Sequence, residues 1–126
     1  MARTSRATLL TTAGVLIALG LTIYAIISKA APSEYDGFAQ CLTEQNVTMY
    51  GAYWCPHCQN QKKLFGNAFQ YVNYVECATP GLPNVMTKEC EEAGVEGYPT
   101  WINGSGEIIA GEQSLEELAT FSGCAL

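Results

Sequence analysis

Cys55 and Cys58 stand two residues apart in the run Trp54-Cys55-Pro56-His57-Cys58. Two thiols at this spacing can meet at the first turn of a helix, where a disulfide opens and closes and electron pairs pass between thiols. A helix start suits that chemistry. Its unpaired backbone N–H groups and the positive end of its dipole favour an anion, and the thiolate is the reactive form of cysteine. In Cys-x-x-Cys sites at helix N-termini, ionisation falls from about 8.5 to roughly 3.5–7. An acidic Cys55 is therefore expected, and an easily formed thiolate stabilises the dithiol and makes the disulfide a stronger oxidant. His57 adds a hydrogen bond or a positive charge beside the sulfurs. Pro56 lacks an N–H, which a first-turn position does not need. Cys58, one turn deeper, is expected to be the less exposed, resolving partner.

Other uses of the spacing fit less well. A zinc ribbon normally wants a second close cysteine pair, and Cys77 and Cys90 are too far apart to supply it. Covalent haem attachment needs histidine directly after the second cysteine, where this chain has Gln59. A purely structural disulfide is the bland alternative; the proline inside the pair and the elements around it argue against that. A second feature is Gly97-Tyr98-Pro99-Thr100. A proline there can take a cis bond, which is rare and structurally specific, although proline is also ordinary at a strand entrance.

The elements that must position these residues follow from pattern. Tyr35 to Gln45 reads as a helix with Tyr35, Phe38, Leu42 and Cys41 on one side. Val47 to Tyr53 is β-rich and reads as a buried strand. A helix begins at Pro56 and runs to Phe69, with Leu64, Phe65, Ala68 and Phe69 as its apolar stripe. Tyr71 to Cys77 is a second strand, and Ala78 to Pro83, with two prolines and a glycine, a loop. Asn84 caps a short helix from Val85 to Ala93, ended by Gly94. Thr100 to Ile102 and Glu107 to Ala110 form a hairpin about Asn103-Gly104-Ser105-Gly106. Ser114-Leu115-Glu116-Glu117 is a capping box opening a helix to about Phe121. The order is a helix, then β-α-β, α, β-β-α. With a right-handed crossover the first two strands are parallel. This is an α/β domain with the minimal topology of the thioredoxin fold.

In front of it, Leu9 to Ile27 carries no charge, long enough to span a bilayer core of about 30 Å as a helix. Arg3 and Arg6 precede the run; Lys29, Glu34 and Asp36 follow it. The positive-inside tendency keeps the N-terminus in the cytoplasm and exports everything after Lys29. A cleaved signal peptide is the rival reading, with Ser28-Lys29-Ala30 as a tolerable cleavage site, though an h-region is usually only roughly 7–15 residues. The expected organisation is a transmembrane segment over residues 1–29, a linker over 30–34 with Pro32, and a domain over 35–126. Linker and domain together hold Lys62, Lys63 and Lys88 against all 12 acidic residues, a net charge near −9. Such a surface repels phosphate backbones, so nucleic acid is an unsuitable partner. No cofactor or metal is implied.

Trp-Cys-Pro-His-Cys followed by Tyr-Pro-Thr resembles the thioredoxin family. More narrowly, Met49-Tyr50-Gly51-Ala52-Tyr53-Trp54-Cys55-Pro56-His57-Cys58-Gln59-Asn60-Gln61-Lys62-Lys63-Leu64-Phe65-Gly66 resembles the thioredoxin-like domains fused to, or working with, bacterial vitamin K epoxide reductase homologues. Tyr74-Val75-Glu76-Cys77, Gly97-Tyr98-Pro99-Thr100-Trp101 and Ser114-Leu115-Glu116-Glu117-Leu118 fit the same pattern, and the likeness extends roughly from Phe38 to Gly123. It implies a periplasm-type thiol oxidoreductase. Cys55 and Cys58 would be the redox pair, tuned by Pro56 and His57, with Pro99 as a cis-proline facing them beside Tyr98. Cys55 would exchange with the thiols of exported proteins, and a separate quinone-linked membrane thiol oxidase would re-oxidise the pair. One departure matters. Many thioredoxins carry a buried acid six positions before the first active cysteine, and here that position is Met49, which cannot relay protons. This suits an oxidant better than a reductase.

All six cysteines lie after the apolar run, as suits an oxidising compartment and a small core. The resembling domains tend to carry cysteines near Cys77 and Cys90, and a bridge there would staple the loop between them. Cys41 and Cys124 would then remain, either bridged to tie the ends of the domain or left as two separate thiols. Two other functions stay open: a disulfide reductase or isomerase, for example in cytochrome maturation, and a non-catalytic, disulfide-stabilised binding module or metal chaperone.

Overall fold

The uncharged N-terminal run winds into α1, Arg6–Lys29. Within the computed structural model, which describes residues 6–29 and 32–126, the chain divides into two units, Met1–Ala31 and Pro32–Leu126. Leu10–Ile27 has a mean hydropathy of 2.1 and is nowhere buried inside the protein. Its 18 residues rise about 27 Å as a helix, close to the ~30 Å core of a bilayer. Length and composition thus suffice for a membrane crossing; a signal sequence has the same properties. Arg3 of the flanking charges, and Ala30 and Ala31 of the expected linker and cleavage site, lie outside the described residues.

The second unit begins with α2, Asp36–Glu44, which buries Phe38, Ala39 and Leu42. Strand β1, Thr48–Gly51, follows, alternating half-buried and buried residues. Helix α3, Pro56–Phe65, leads through a 3₁₀ turn, Gly66–Tyr71, to β2, Asn73–Glu76. A two-stranded ribbon comes next, β3 at Ala78–Thr79 and β4 at Leu82–Met86, and then α4, Lys88–Glu92. Strands β5, Thr100–Ile102, and β6, Ile108–Ala110, precede α5, Leu115–Ser122. The main sheet has the order β2-β1-β5-β6. β1 runs parallel to β2, while β5 is antiparallel to both β1 and β6. A parallel β-α-β half joined to an antiparallel β-β-α half makes this a mixed α/β fold of thioredoxin-like topology.

One apolar cluster joins the two halves. Phe38 of α2 stacks on Phe65 of α3 at 6.0 Å between ring centres, and Phe65 meets Trp101 of β5 at 6.1 Å. Met49, Leu42, Leu118 and Trp101 are fully buried around them. The Ser114 capping box is formed, its hydroxyl accepting from the Glu117 N–H while the Glu117 carboxylate accepts from the Ser114 N–H.

Three expectations are corrected. Helix α3 ends at Phe65 rather than Phe69, because Gly66 takes a φ of +56° that only glycine adopts cheaply and so stops the α-helix. Leu64 leaves the apolar stripe and is exposed, while Phe65 and Ala68 stay buried. The span Ala78 to Pro83 is not a loop: Pro80-Gly81 makes a two-residue turn between Thr79 and Leu82. Pro83 is tolerated in β4, an edge of its ribbon, where no ladder N–H is required. Asn84 therefore lies in a strand, and Thr87 is the N-cap of the short helix.

Candidate active site

β1 delivers the chain to the site, and α3 begins where the chemistry is needed. Cys55 is the N-cap of α3 with extended backbone, and Pro56 opens the first turn. The Cys55 N–H donates to the Ala52 carbonyl at 3.0 Å, and the Gln59 N–H to the Cys55 carbonyl at 3.1 Å. Cys55 and Cys58 are both free thiols. Cys55 keeps 5% of its surface exposed and Cys58 none, so an attacking partner meets the Cys55 sulfur first. The Tyr98–Pro99 peptide bond is cis. It brings the Tyr98 carbonyl to Cys55, whose thiol donates to it at 3.7 Å.

A ring of contacts fixes this arrangement. Trp54 meets Tyr98 edge-on, 6.0 Å between ring centres, and its indole N–H donates to the Pro83 carbonyl of β4 at 2.8 Å. His57 Nδ1 and Glu112 Oε1 share a hydrogen bond of 2.5 Å, and the Asn60 amide donates to the same oxygen at 3.4 Å. Gln61, fully buried, stitches α3 to the chain before α5: its Nε2 donates to the Gln113 carbonyl at 2.9 Å, and its Oε1 accepts the Gln113 N–H at 2.7 Å. Glu76 accepts from the N–H groups of Tyr53 and Ala78 and from the Tyr74 hydroxyl.

Cys58 occupies the inner wall. Burial, with the neighbouring Cys55 sulfur, pushes its thiol up to about 12, against the lesser opposing effects of a hydrogen bond from the Ala52 backbone and the Lys62 charge. Its sulfur rests against the backbone of Gly51. A Cβ on that residue would stand 2.8 Å from Cys58 Sγ and 3.1 Å from Tyr74 Cε2. Gly51→Ala is therefore expected to lower stability by about 1–3 kcal/mol, the ordinary cost of overpacking. A denaturant midpoint unchanged in Gly51→Ala would show that this wall has slack.

The six cysteines sort into two classes. Cys41 is bonded to Cys124, and Cys77 to Cys90. The structure thus gathers Cys55, Pro56, His57, Cys58, Tyr98 and Pro99 in one place. Met49, at the position of the acid in many thioredoxins, is fully buried between Tyr74 and Trp101. Sequence reasoning passed over Gly51, Gln61, Lys62, Glu76, Glu112 and Gln113. Of these only Gln61 and Lys62 carried a usable signal, being three and four residues after Cys58 and so on its side of the helix.

No protein-family model matches the chain. It is similar to the thiol-disulfide oxidoreductase LTO1 of Arabidopsis thaliana, with 39% identity over 103 residues. That match takes in 79% of this chain but 27% of the relative, so the chain spans well under half the length of that protein. Among solved structures it is similar to oxidised glutaredoxin 2 from Chlamydomonas reinhardtii, with 21% identity and a TM-score of 0.42 over 77% of this chain and 98% of that one.

Proposed function

We propose that the chain is a membrane-tethered thiol-disulfide oxidoreductase working outside the cytoplasm, with Cys55 and Cys58 as its redox pair. The observation that carries this reading is the sorting of the cysteines. Four are closed in two bridges, and the two left free sit together at the start of α3, opposite the Tyr98–Pro99 bond. The activity for which that relative is named supports the reaction class. The two bridges suit an oxidising compartment, and an apolar helix ahead of the domain suits a tether.

In the direction we favour, a substrate thiolate attacks the Cys55 sulfur of the Cys55–Cys58 disulfide. A mixed disulfide forms, and Cys58 leaves as a thiolate and takes a proton. A second substrate thiolate then attacks the substrate's own sulfur in the mixed disulfide and releases Cys55. The substrate gains a disulfide, and two electrons remain on the pair as a dithiol. A quinone-linked membrane thiol oxidase, of the kind implied by the resemblance to domains that work with vitamin K epoxide reductase homologues, would take those electrons. Met49 supports the oxidising direction, since a methionine gives no proton relay for freeing Cys58 as a resolving nucleophile. Equilibration of the pair with glutathione buffers tests this. The expected potential is clearly above that of thioredoxin, roughly −270 mV, and a value at or below it overturns the oxidant reading.

A further inference from the structure

Cys58 must become an anion whichever way electrons flow, either as leaving group or as attacking thiol, yet it is fully buried. The usual remedy in related sites, a buried carboxylate, is replaced by Met49. What stands near the sulfur instead is a lysine in an unusual position. Lys88, another of the three lysines in this unit, pairs with Glu92 at 3.3 Å. Lys62 does not follow that pattern, although acidic residues outnumber lysines four to one in this unit. Its ammonium lies 3.6 Å from the centre of the Tyr74 ring and 5.3 Å from that of Phe69. Among the described residues no carboxylate lies within ion-pair distance of it.

Two further observations relate this lysine to the buried sulfur. Lys62 follows Cys58 by four residues on α3, so the two side chains share a face. Tyr74, the seat of the ammonium, converges with Cys58 Sγ on the same spot above Gly51. The Tyr74 hydroxyl donates to Glu76 at 2.8 Å, and the other Glu76 oxygen is occupied by two backbone N–H groups. This leaves the carboxylate committed elsewhere and the lysine on the ring.

We propose that Lys62 is a positioning residue for the resolving sulfur: seated on Tyr74, its ammonium is the fixed positive charge that stabilises the Cys58 thiolate as it leaves, or attacks, Cys55. The proposal rests on Cys55–Cys58 being the redox pair. When a thiolate attacks Cys55, the bond between the two cysteines breaks and its electron pair stays on Cys58, which then takes a proton from water. In reverse, Cys58 loses its proton, attacks Cys55 in the mixed disulfide and expels the partner thiolate. Lys62 favours the anion in both. The other groups around Cys58 do not supply a positive charge. α3 adds only Cys55. β2 presents Tyr74 with Glu76 behind it, and the segment before β5 presents Tyr98. Burial, first among the causes, raises both phenols, so they stay neutral, while β1 offers Gly51 and Met49.

The test uses the full chain in detergent. The oxidised protein is mixed with dithiothreitol at pH 7, quenched with acid and alkylated. We expect Lys62→Met to react about tenfold more slowly, the equivalent of one unit in thiol ionisation. Lys62→Arg, which keeps the charge, should stay close to the unsubstituted rate. In reduced protein carrying ¹³C at cysteine Cβ, the Cys58 resonance should titrate at higher pH in Lys62→Met and return in Lys62→Arg. Equal rates and titrations for Lys62→Met and the unsubstituted chain overturn the proposal, as does a Lys62→Arg variant equally slow. If Lys62→Met does not fold, Lys62→Gln is read in the same way. Failure of the redox reading itself looks different: the unsubstituted Cys55–Cys58 disulfide would then exchange with no protein thiol, whatever stands at Lys62.

Discussion

Cys55→Ser is expected to lower thiol-disulfide exchange by on the order of 10³-fold or more, the scale on which loss of a covalent nucleophile acts, and Cys58→Ala to arrest it one step later. The two sulfurs are inequivalent by position. Cys55 caps α3, retains a small exposed face and donates to the Tyr98 carbonyl at 3.7 Å. Cys58 is sealed against Gly51 and Tyr74, where burial holds its thiol near 12. Its ionisation is raised, so the proton is kept at neutral pH, and the thiolate fraction grows about tenfold per pH unit up to that value. A mixed disulfide through Cys55 should therefore persist near pH 7 and be resolved by Cys58 faster, by about tenfold per unit, as pH rises to 9. In cells producing Cys58→Ala, non-reducing electrophoresis and mass spectrometry should recover covalent adducts through Cys55 whose identity names the partner. Adducts through Cys58 in Cys55→Ser would reverse the assignment.

What the sequence made legible follows the range of the interactions involved. The Cys55 cap, the Pro56 start and the Ser114 capping box depend on neighbours within one helical turn, and all three stand where local pattern puts them. The three-residue strand Thr100–Ile102 was equally plain, being set off between Pro99 and an Asn-Gly turn. The site's supports are of another kind. Glu112 reaches His57 across 55 positions, and Gln61 reaches Gln113 across 52. An exposed glutamate or a helical glutamine gives no local hint of such a partner. The ribbon after β2 was hidden for a different reason. Two prolines and a glycine normally interrupt pairing, but here Pro80-Gly81 is the turn itself and Pro83 lies on an edge. That ribbon matters to the site, because its Pro83 carbonyl holds the Trp54 indole.

The same ribbon separates the roles of the two closed bridges. Cys41–Cys124 spans a separation of 83 residues and Cys77–Cys90 one of 13. In the chain-entropy estimate the first stabilises by about 4.5 kcal/mol and the second by about 3. Set against a domain stability of about 5–15 kcal/mol, loss of the long bridge removes a large share. The paired variant Cys41→Ser with Cys124→Ser is thus expected to unfold on the order of 20 °C lower. Below its transition it should still exchange thiols within about twofold of the parent, because α2 and the segment after α5 supply none of the contacts around Cys55 described above. Cys77→Ser with Cys90→Ser should behave in the opposite sense. Its thermal loss is smaller, but Cys77 accepts the Thr87 N–H at the base of the ribbon, so the strand that holds Trp54 loosens and exchange slows. Scanning calorimetry and the dithiothreitol assay on both paired variants decide the matter. A fall of less than about 5 °C in the first pair, or full activity in the second, would break the division between a bridge that holds the domain and a bridge that holds the site.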